Sequence, residues 1–317
     1  MKEVSKLLRK VIRLQKEERL IPHQSSVLVA FSGGVDSVSL TDALLELKDF
    51  FGFKRLSLAH FNHKLRVEAD REEEFCRGFA EERKLEIFVG SENVGEVARS
   101  SKRNLEEVAR ELRYRFLRSI KDREGFDLIA TAHHLNDLVE TALIWLSRGA
   151  GVEGLLGFEP KEGDIVRPMY KVKKEEILSY AKVRNLRWVE DTSNRDPRFF
   201  RNRIRMEVIP VLKSINPNLE ETFLRTRNIL KDEEELLKRL SRELLYRARN
   251  EDCLEVKVLT QAHVSLQRRA IREFTGIRNF SKVEQVRNLL SKGGEVSLGE
   301  GVKVVRKGAF LCLKKSL

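Results

Sequence analysis

The chain has 317 residues, with 61 Lys and Arg against 49 Asp and Glu and a formal charge of +12. That length passes the roughly 250–300 residues at which one core stops growing, so two domains, or one domain with a large appendage, are expected. Hydrophobic residues make up 41%, too many for wholesale disorder, and no run of about 18 apolar residues exists to cross a membrane.

The N-terminus interleaves charged and apolar residues, which excludes a signal peptide. Val4, Leu7, Leu8, Val11 and Leu14 fall at helical spacing up to Pro22. Apolar runs and helical patterns then alternate. Buried strands are expected at 25–31, 56–61, 85–90 and 126–132, and helices at 37–50, 68–83, 103–120 and 135–147. This alternation predicts an α/β fold, a Rossmann-like open parallel sheet with helices on both faces. The stretch 148–157 holds four glycines and reads as a loop, either a mobile lid or a connector. A helix is expected over 171–184, an irregular basic stretch over 191–205 and a long charged helix over 219–249. A strand over Leu254–Leu259 and a tail of short strands turning at Gly299, Gly301 and Gly308 complete the chain. The expected division is a domain of residues 1–215 and a smaller α+β domain of 216–317 that contacts a polyanion.

Charged residues are 35% of the chain, against a usual ~25%. Together with only three Cys and three Met, that composition points to a hot environment. Cys76, Cys253 and Cys312 are too few and too widely spaced for a disulfide framework or a Cys-based zinc site, so a reduced, cytoplasmic protein is expected. The positive excess suggests a polyanionic partner.

The strongest local signal is Ser32-Gly33-Gly34-Val35-Asp36-Ser37, placed after a buried strand and before a helix. Open parallel sheets bind ligands there. Two glycines admit a phosphate close to the backbone, and the following helix offers free N–H groups. Ser32 and Ser37 add hydroxyl donors. Asp36 cannot bind phosphate directly, so its sensible role is to hold Mg2+ against it. The alternative is a plain Gly-Gly turn with Asp36 as a helix cap.

The hexapeptide resembles the loop of the ATP pyrophosphatase superfamily. Further stretches resemble one of its families, the tRNA(Ile)-lysidine synthases. They are His60-Phe61-Asn62-His63; Ala109-Arg110-Glu111-Leu112-Arg113-Tyr114; Thr131-Ala132-His133-His134 with Asp137, Glu140 and Thr141; Arg148-Gly149 and Gly151; Arg167-Pro168; and Asp191, Ser193 and Asn194 with Arg201, Asn202, Ile204 and Arg205. The sequence departs from the family at Lys64, Asn136 and Leu138, where members usually carry Gly, Asp and Gln. The resemblance implies that ATP adenylates the carbonyl oxygen at carbon 2 of the wobble cytidine in a CAU-anticodon isoleucine tRNA. Free lysine then displaces AMP through its side-chain amine.

Under that resemblance Asp36, Arg113, Asp137 and Glu140 are the expected catalytic residues. Residues 32–37 with His60, Asn62 and His63 are expected to bind ATP, with Mg2+ on Asp36. Asp137 and Glu140 lie at i and i+3, opposite an expected core stripe of Leu135, Leu138, Val139, Ala142, Leu143 and Leu146. They are expected to project from the core and, with His133, to bind lysine. Arg113 borders the stripe of its own helix and is expected to hold phosphate or cytidine. Arg195, Arg201 and Arg205, with Phe199 and Phe200 interleaved, are expected to clamp and stack tRNA. A homodimer is compatible with the sequence.

Three other readings compete. A tRNA thiolase of the same superfamily needs a persulfide or iron–sulfur cysteine set, and no C-x-x-C occurs. A small-molecule amidotransferase usually needs a glutaminase module. An RNA-binding relic would leave Asp36, Arg113, Asp137 and Glu140 idle.

Overall fold

The computed structural model describes residues 4–65, 68–190, 196, 199–299 and 301–315. Helix α1 (Val4–Glu18) opens the chain. Strand β1 (Ser26–Ala30) leads into α2 (Val35–Glu46) and α3 (Lys48–Phe51), and β2 (Arg55–Asn62) into α4 (Glu68–Glu82). Next come β3 (Ile87–Ser91), α5 (Val94–Ser101), α6 (Leu105–Glu124), β4 (Leu128–Ala130) and α7 (Leu135–Ser147). The short α8 (Val152–Leu155), β5 (Lys161–Glu162), β6 (Ile165–Val166) and α9 (Lys174–Val183) follow.

The first sheet has the order β3-β2-β1-β4-β6-β5. Its pairs are parallel except β5 with β6, an edge hairpin. Alternation along β1 explains why both faces carry helices. Val27 and Val29 face a core shared with α1, α2, α4 and α9, whereas Leu28 faces one built with Tyr114, Leu117 and Ile120 of α6. Leu128 and Ala130 against Ile129 repeat the pattern in β4. The order reverses at β1, which pairs with β2 on one side and β4 on the other. The loops after β1 and β4 therefore open side by side, at the switch point of the sheet.

The stretch after α9 departs from the irregular expectation. From Phe199 on it is helical: α10 (Phe200–Arg203), a π-helical turn (Ile204–Val208) and α11 (Ile209–Ile215). Ile204 and Ile209 pack on Val139 of α7, and that apolar contact overrides the polar, Pro-containing sequence around them. Asp191, Ser193, Asn194 and Arg195 lie outside the described residues.

The chain divides into two compact units at Arg225/Thr226, inside α12 (Leu219–Ala248) rather than ahead of it. Phe223 and Leu224 are the reason, since both pack on the first unit's core. The second unit contains the rest of α12, β7 (Arg249–Asn250), β8 (Cys253–Glu255), α13 (Val256–Thr260), α14 (Val264–Thr275), α15 (Phe280–Lys292), β9 (Glu295–Gly299), β10 (Val302–Lys307) and β11 (Phe310–Lys315). Its sheet runs β7-β8-β11-β10-β9, antiparallel throughout. The expected strand Leu254–Leu259 is thus mostly helix. Pairing with β11 ends at Glu255, and Val256 and Leu259, three apart, become the buried face of α13. Among the described residues no helix is long and apolar enough to cross a membrane.

The cysteine expectation is also corrected. Cys253 and Cys312 sit directly opposite each other in the β8–β11 pair and are joined by a disulfide across 59 residues. Antiparallel pairing cancels the sequence separation on which the free-thiol reading relied. Closing a loop of that length restricts the unfolded chain by roughly 4 kcal/mol in the chain-entropy model. Reduction, or Cys312→Ser, is therefore expected to lower the thermal midpoint of the second unit by several degrees or more. Calorimetry with and without reductant checks this, and coincident melts would mean that the bridge contributes nothing.

Candidate active site

The hexapeptide loop spans the end of β1 and the start of α2. Gly33 has φ +79°, and a Cβ there would meet Cys76 Sγ at 3.0 Å and Phe75 at 3.2 Å, so only glycine fits. Ser37 Oγ accepts from the Ser32 backbone N–H at 3.2 Å and donates to the Gly34 carbonyl at 3.0 Å. The Val189 N–H, from the segment after α9, donates to the Gly33 carbonyl at 3.0 Å. Gly34 caps α2 without a side-chain bond, which leaves the first-turn N–H groups pointing outward as an anion cradle.

Asp36, in the first turn of α2, takes a 2.5 Å hydrogen bond from Lys174 Nζ. The sequence did not single out Lys174, which reads as one charge in a basic run. It reaches Asp36 because α9 is fastened to α2: the Tyr180 hydroxyl donates to Asp42 at 2.6 Å and Arg184 Nε at 3.0 Å. Among the described residues no three His, Cys, Asp or Glu side chains gather into a cage. A single partly exposed carboxylate suits a Mg2+ that arrives with a triphosphate and keeps much of its water, not a resident ion.

The loop after β4 supplies the second half of the site. His134 lies buried with Nε2 3.7 Å from Asp36 and 3.5 Å from Asp137. Asp137 accepts from the His134 backbone N–H at 3.0 Å, one half of a capping box, which explains why α7 starts at Leu135. His133 Nδ1 is 2.8 Å from Thr131 Oγ1, and its ring packs on Phe158. Burial pushes His133 down to about 3, so the ring is neutral at ordinary pH.

The expectation that the acids project from the core is corrected. Glu140 is only 2% exposed. Arg201 Nε and Arg205 Nε each donate to it at 2.7 Å, and Arg205 Nη2 adds a bond of 2.9 Å. Arg201 Nη2 also reaches Asp137 at 2.9 Å. Burial alone would raise the Asp137 carboxyl, but His134 and Arg201 around it and the His134 N–H hold it well below the usual carboxylate range. Burial alone would likewise lower both arginines, and the two carboxylates reverse that. Arg201 and Arg205, expected to face tRNA, thus face the acids here. Their α10 and π-helical turn pack against α7, and that packing turns the acid-bearing face of α7 inward. Leu146, placed in the core stripe, is 57% exposed instead.

Arg113 lies within electrostatic reach of His133 and Arg201, and burial pushes its guanidinium below its ordinary value. Asn62 is committed structurally, donating to Asp70 at 3.1 Å and Glu73 at 3.2 Å. His60 braces the base of the loop, with Nδ1 3.0 Å from the Phe31 carbonyl and 3.3 Å from Cys76 Sγ. His60, Asn62, His63, Phe199, Arg201 and Arg205 share a cleft of about 350 Å3. Of the departures from the family, Asn136 joins α9 to α12 by accepting from the Lys174 N–H and donating to Glu220, each at 2.8 Å. Leu138 is core, and Lys64 has φ +47°, a conformation that suits the glycine usual there.

A family model described as the PP-loop domain matches residues 4–212, and one described as the TilS-like substrate binding domain matches residues 248–313. A tRNA(Ile)-lysidine synthase from Persephonella marina is 35% identical over 303 residues, covering 94% of this chain and 65% of that protein. One from Petrotoga mobilis is 36% identical over 73% of this chain and 74% of its own length. One from Thermosipho africanus is 38% identical over 69% and 51%. The chain spans between about half and three quarters of the length of these curated relatives. A solved U34-tRNA thiolase, NcsA from Methanococcus maripaludis, superposes with a TM-score of 0.58 over 72% of this chain and 79% of its own at 17% identity, a likeness of fold alone. With the cradle, the paired acids and both family models in agreement, the chain belongs to the PP-loop family and, within it, to the tRNA(Ile)-lysidine synthases.

Proposed function

We propose that the chain joins free lysine to carbon 2 of the wobble cytidine in a CAU-anticodon isoleucine tRNA, at the expense of ATP and in the cytoplasm. The observation that carries this reading is the pair of shielded carboxylates Asp137 and Glu140, one helical turn apart and linked through His134 to the loop aspartate Asp36. In the first step the cytidine carbonyl oxygen attacks the α-phosphorus of ATP. The bond to the bridging oxygen breaks, and pyrophosphate leaves into the cradle of residues 32–37. Held by Asp36, Mg2+ would neutralise phosphate charge. Arg113 faces the charge that grows on the α-phosphate, in a setting where burial strengthens the attraction.

In the second step the side-chain nitrogen of lysine attacks carbon 2 and AMP leaves. Asp137 and Glu140 receive the ammonium groups, and one of the carboxylates takes the proton that the amine sheds. For lysine to enter, Arg201 or Arg205 must turn away from the acids, and the phosphates of the nucleotide or of tRNA are suitable new partners. Thiolation is disfavoured by the chain's own cysteines. Cys76 lies buried beside Gly33 with its thiol pushed far up by burial, and the other two are bridged to each other.

Mixing the protein with ATP, Mg2+, radiolabelled lysine and total bacterial tRNA tests the reading. Label in RNA that survives alkaline deacylation, with AMP and pyrophosphate as by-products, supports it; ADP and orthophosphate would overturn it. Asp36→Ala should abolish incorporation, and turnover like the wild type would remove its role with the metal. Glu140→Gln should raise the lysine concentration needed at least tenfold while slowing pyrophosphate release less. An equal fall in both steps with unchanged lysine dependence would sink the clamp.

His133 supplies a test of pH dependence. Its folded pKa of about 3 lies below the ordinary 6.5, so between those values the unfolded chain takes up a proton that the buried ring refuses. The contribution to stability is complete above about pH 6.5 and is lost as pH falls toward 3. His133→Gln should flatten that loss, read by urea unfolding at several pH values. Parallel curves for variant and wild type would place the ring in water.

A further inference from the structure

Helix α7 ends in an exposed cluster that the proposed chemistry leaves unused. Trp145 is 43% exposed and Phe200, across on α10, is 37% exposed. The Arg148 guanidinium carbon lies between them, 5.8 Å from the Trp145 ring centre and 5.7 Å from that of Phe200. Large aromatics are normally buried, so two of them open to solvent around one guanidinium call for a function.

The cluster is also held rigidly. The Ala150 N–H bonds the Trp145 carbonyl and the Gly149 N–H the Leu146 carbonyl, each at 3.0 Å, and Gly149 has φ +72°. That double bond with a left-handed glycine is a Schellman stop, which fixes the last turn of α7 and so the bases of Trp145 and Arg148. Behind the indole, α8 comes so close that a Cβ on Gly154 would sit 3.0 Å from Trp145 Cβ. Phe200 in turn precedes Arg201, which is bonded to Glu140. A rigid aromatic face meets a partner with little ordering cost.

We propose that Trp145, Arg148 and Phe200 form a stacking platform for an unpaired base of the tRNA anticodon loop, a neighbour of the base that reacts. This rests on the proposed reaction at Asp137 and Glu140. Trp145 lies five residues beyond Glu140 on one helix, about 7.5 Å further along its axis and about 140° round it, so the base it meets is a neighbour roughly two or more stacked steps of ~3.4 Å from the one that reacts. A guanidinium between two rings offers planar faces to a base and positive charge to its phosphate. Stacking is blind to base identity, so the platform fixes where the loop lies and leaves the choice of cytidine to the reaction site.

Trp145 reports on this directly. The chain has two tryptophans, so Trp188→Phe leaves Trp145 as the single fluorophore. Titration with a CAU anticodon stem-loop RNA should quench it. Phe200→Ala and Trp145→Ala should each weaken that RNA by roughly 5- to 150-fold, the span of one lost base stack. Trp145→Phe should restore most of the affinity, and in turnover the KM for tRNA should rise without a change in the KM for ATP. Unquenched Trp145 at saturating RNA, or Phe200→Ala binding like the wild type, overturns the platform. So does sedimentation in which Trp145→Ala splits a dimer while RNA affinity is unchanged, since the face would then join two copies. Quenching without any incorporation of lysine would leave the platform standing and remove the proposed reaction.

Discussion

A carboxylate with almost no contact with water needs a cation, and Glu140 sets that condition for the whole site. Removing its charge from solvent costs several kcal/mol unless the bonds to it are well aligned. Arg201 and Arg205 meet the requirement with four bonds to Asp137 and Glu140. Both arginines remain partly open to solvent, so their attraction is screened and the pairing is less firm than in a fully buried triad. The pocket is in effect charged and neutralised at once. A ligand that brings an ammonium group replaces one cation with another and leaves no carboxylate bare.

The sheet supplies the rest of the geometry. Because β1 pairs with β4, the phosphate-type loop and the His133–His134 turn emerge as neighbours, although about one hundred residues separate them in the chain. α2 then offers its open N-terminus beside that of α7, so two positive helix ends converge where a polyanion would lie. Lys174 and Arg113 add charge from α9 and α6. This convergence explains how acids and an anion cradle coexist within a few ångströms: the positive groups around Asp137 hold its carboxyl well below the usual carboxylate range.

The sequence made one kind of information legible and hid another. The apolar run 25–31 located the strand before the cradle, and local periodicity the bounds of α7, because Leu135, Leu138, Val139 and Ala142 repeat at helical spacing and are buried. The loop stood out because its Gly-Gly follows a buried strand and precedes a helix, the place where an open parallel sheet presents its ligands, although the glycines alone fit a plain turn as well. What stayed hidden depended on partners distant in sequence. Glu140 reads as a surface acid on its own helix, and only the docking of Ile204 and Ile209 beside it makes it interior. Cys253 reads as lone until β11 is laid against β8. Lys174 carries no mark at all, since its role comes from the bonds of Tyr180 and Arg184 that seat α9. The basic stretch read as irregular because polar and Pro-containing sequence lacks helix signals, and the helicity of its residues 200–205 is imposed by packing.

The same contrast explains why Arg201 and Arg205 fit two roles. A guanidinium is always charged and prefers planar oxygen pairs, which carboxylates and phosphates both present. With no phosphate at hand the buried acids are the strongest such partners in reach. A polyanion that brought its own oxygens would compete for the arginines and thereby open the acids to an amine. Binding of nucleotide or RNA and binding of lysine would then be thermodynamically linked through two side chains, each ligand raising the affinity of the other by the same factor.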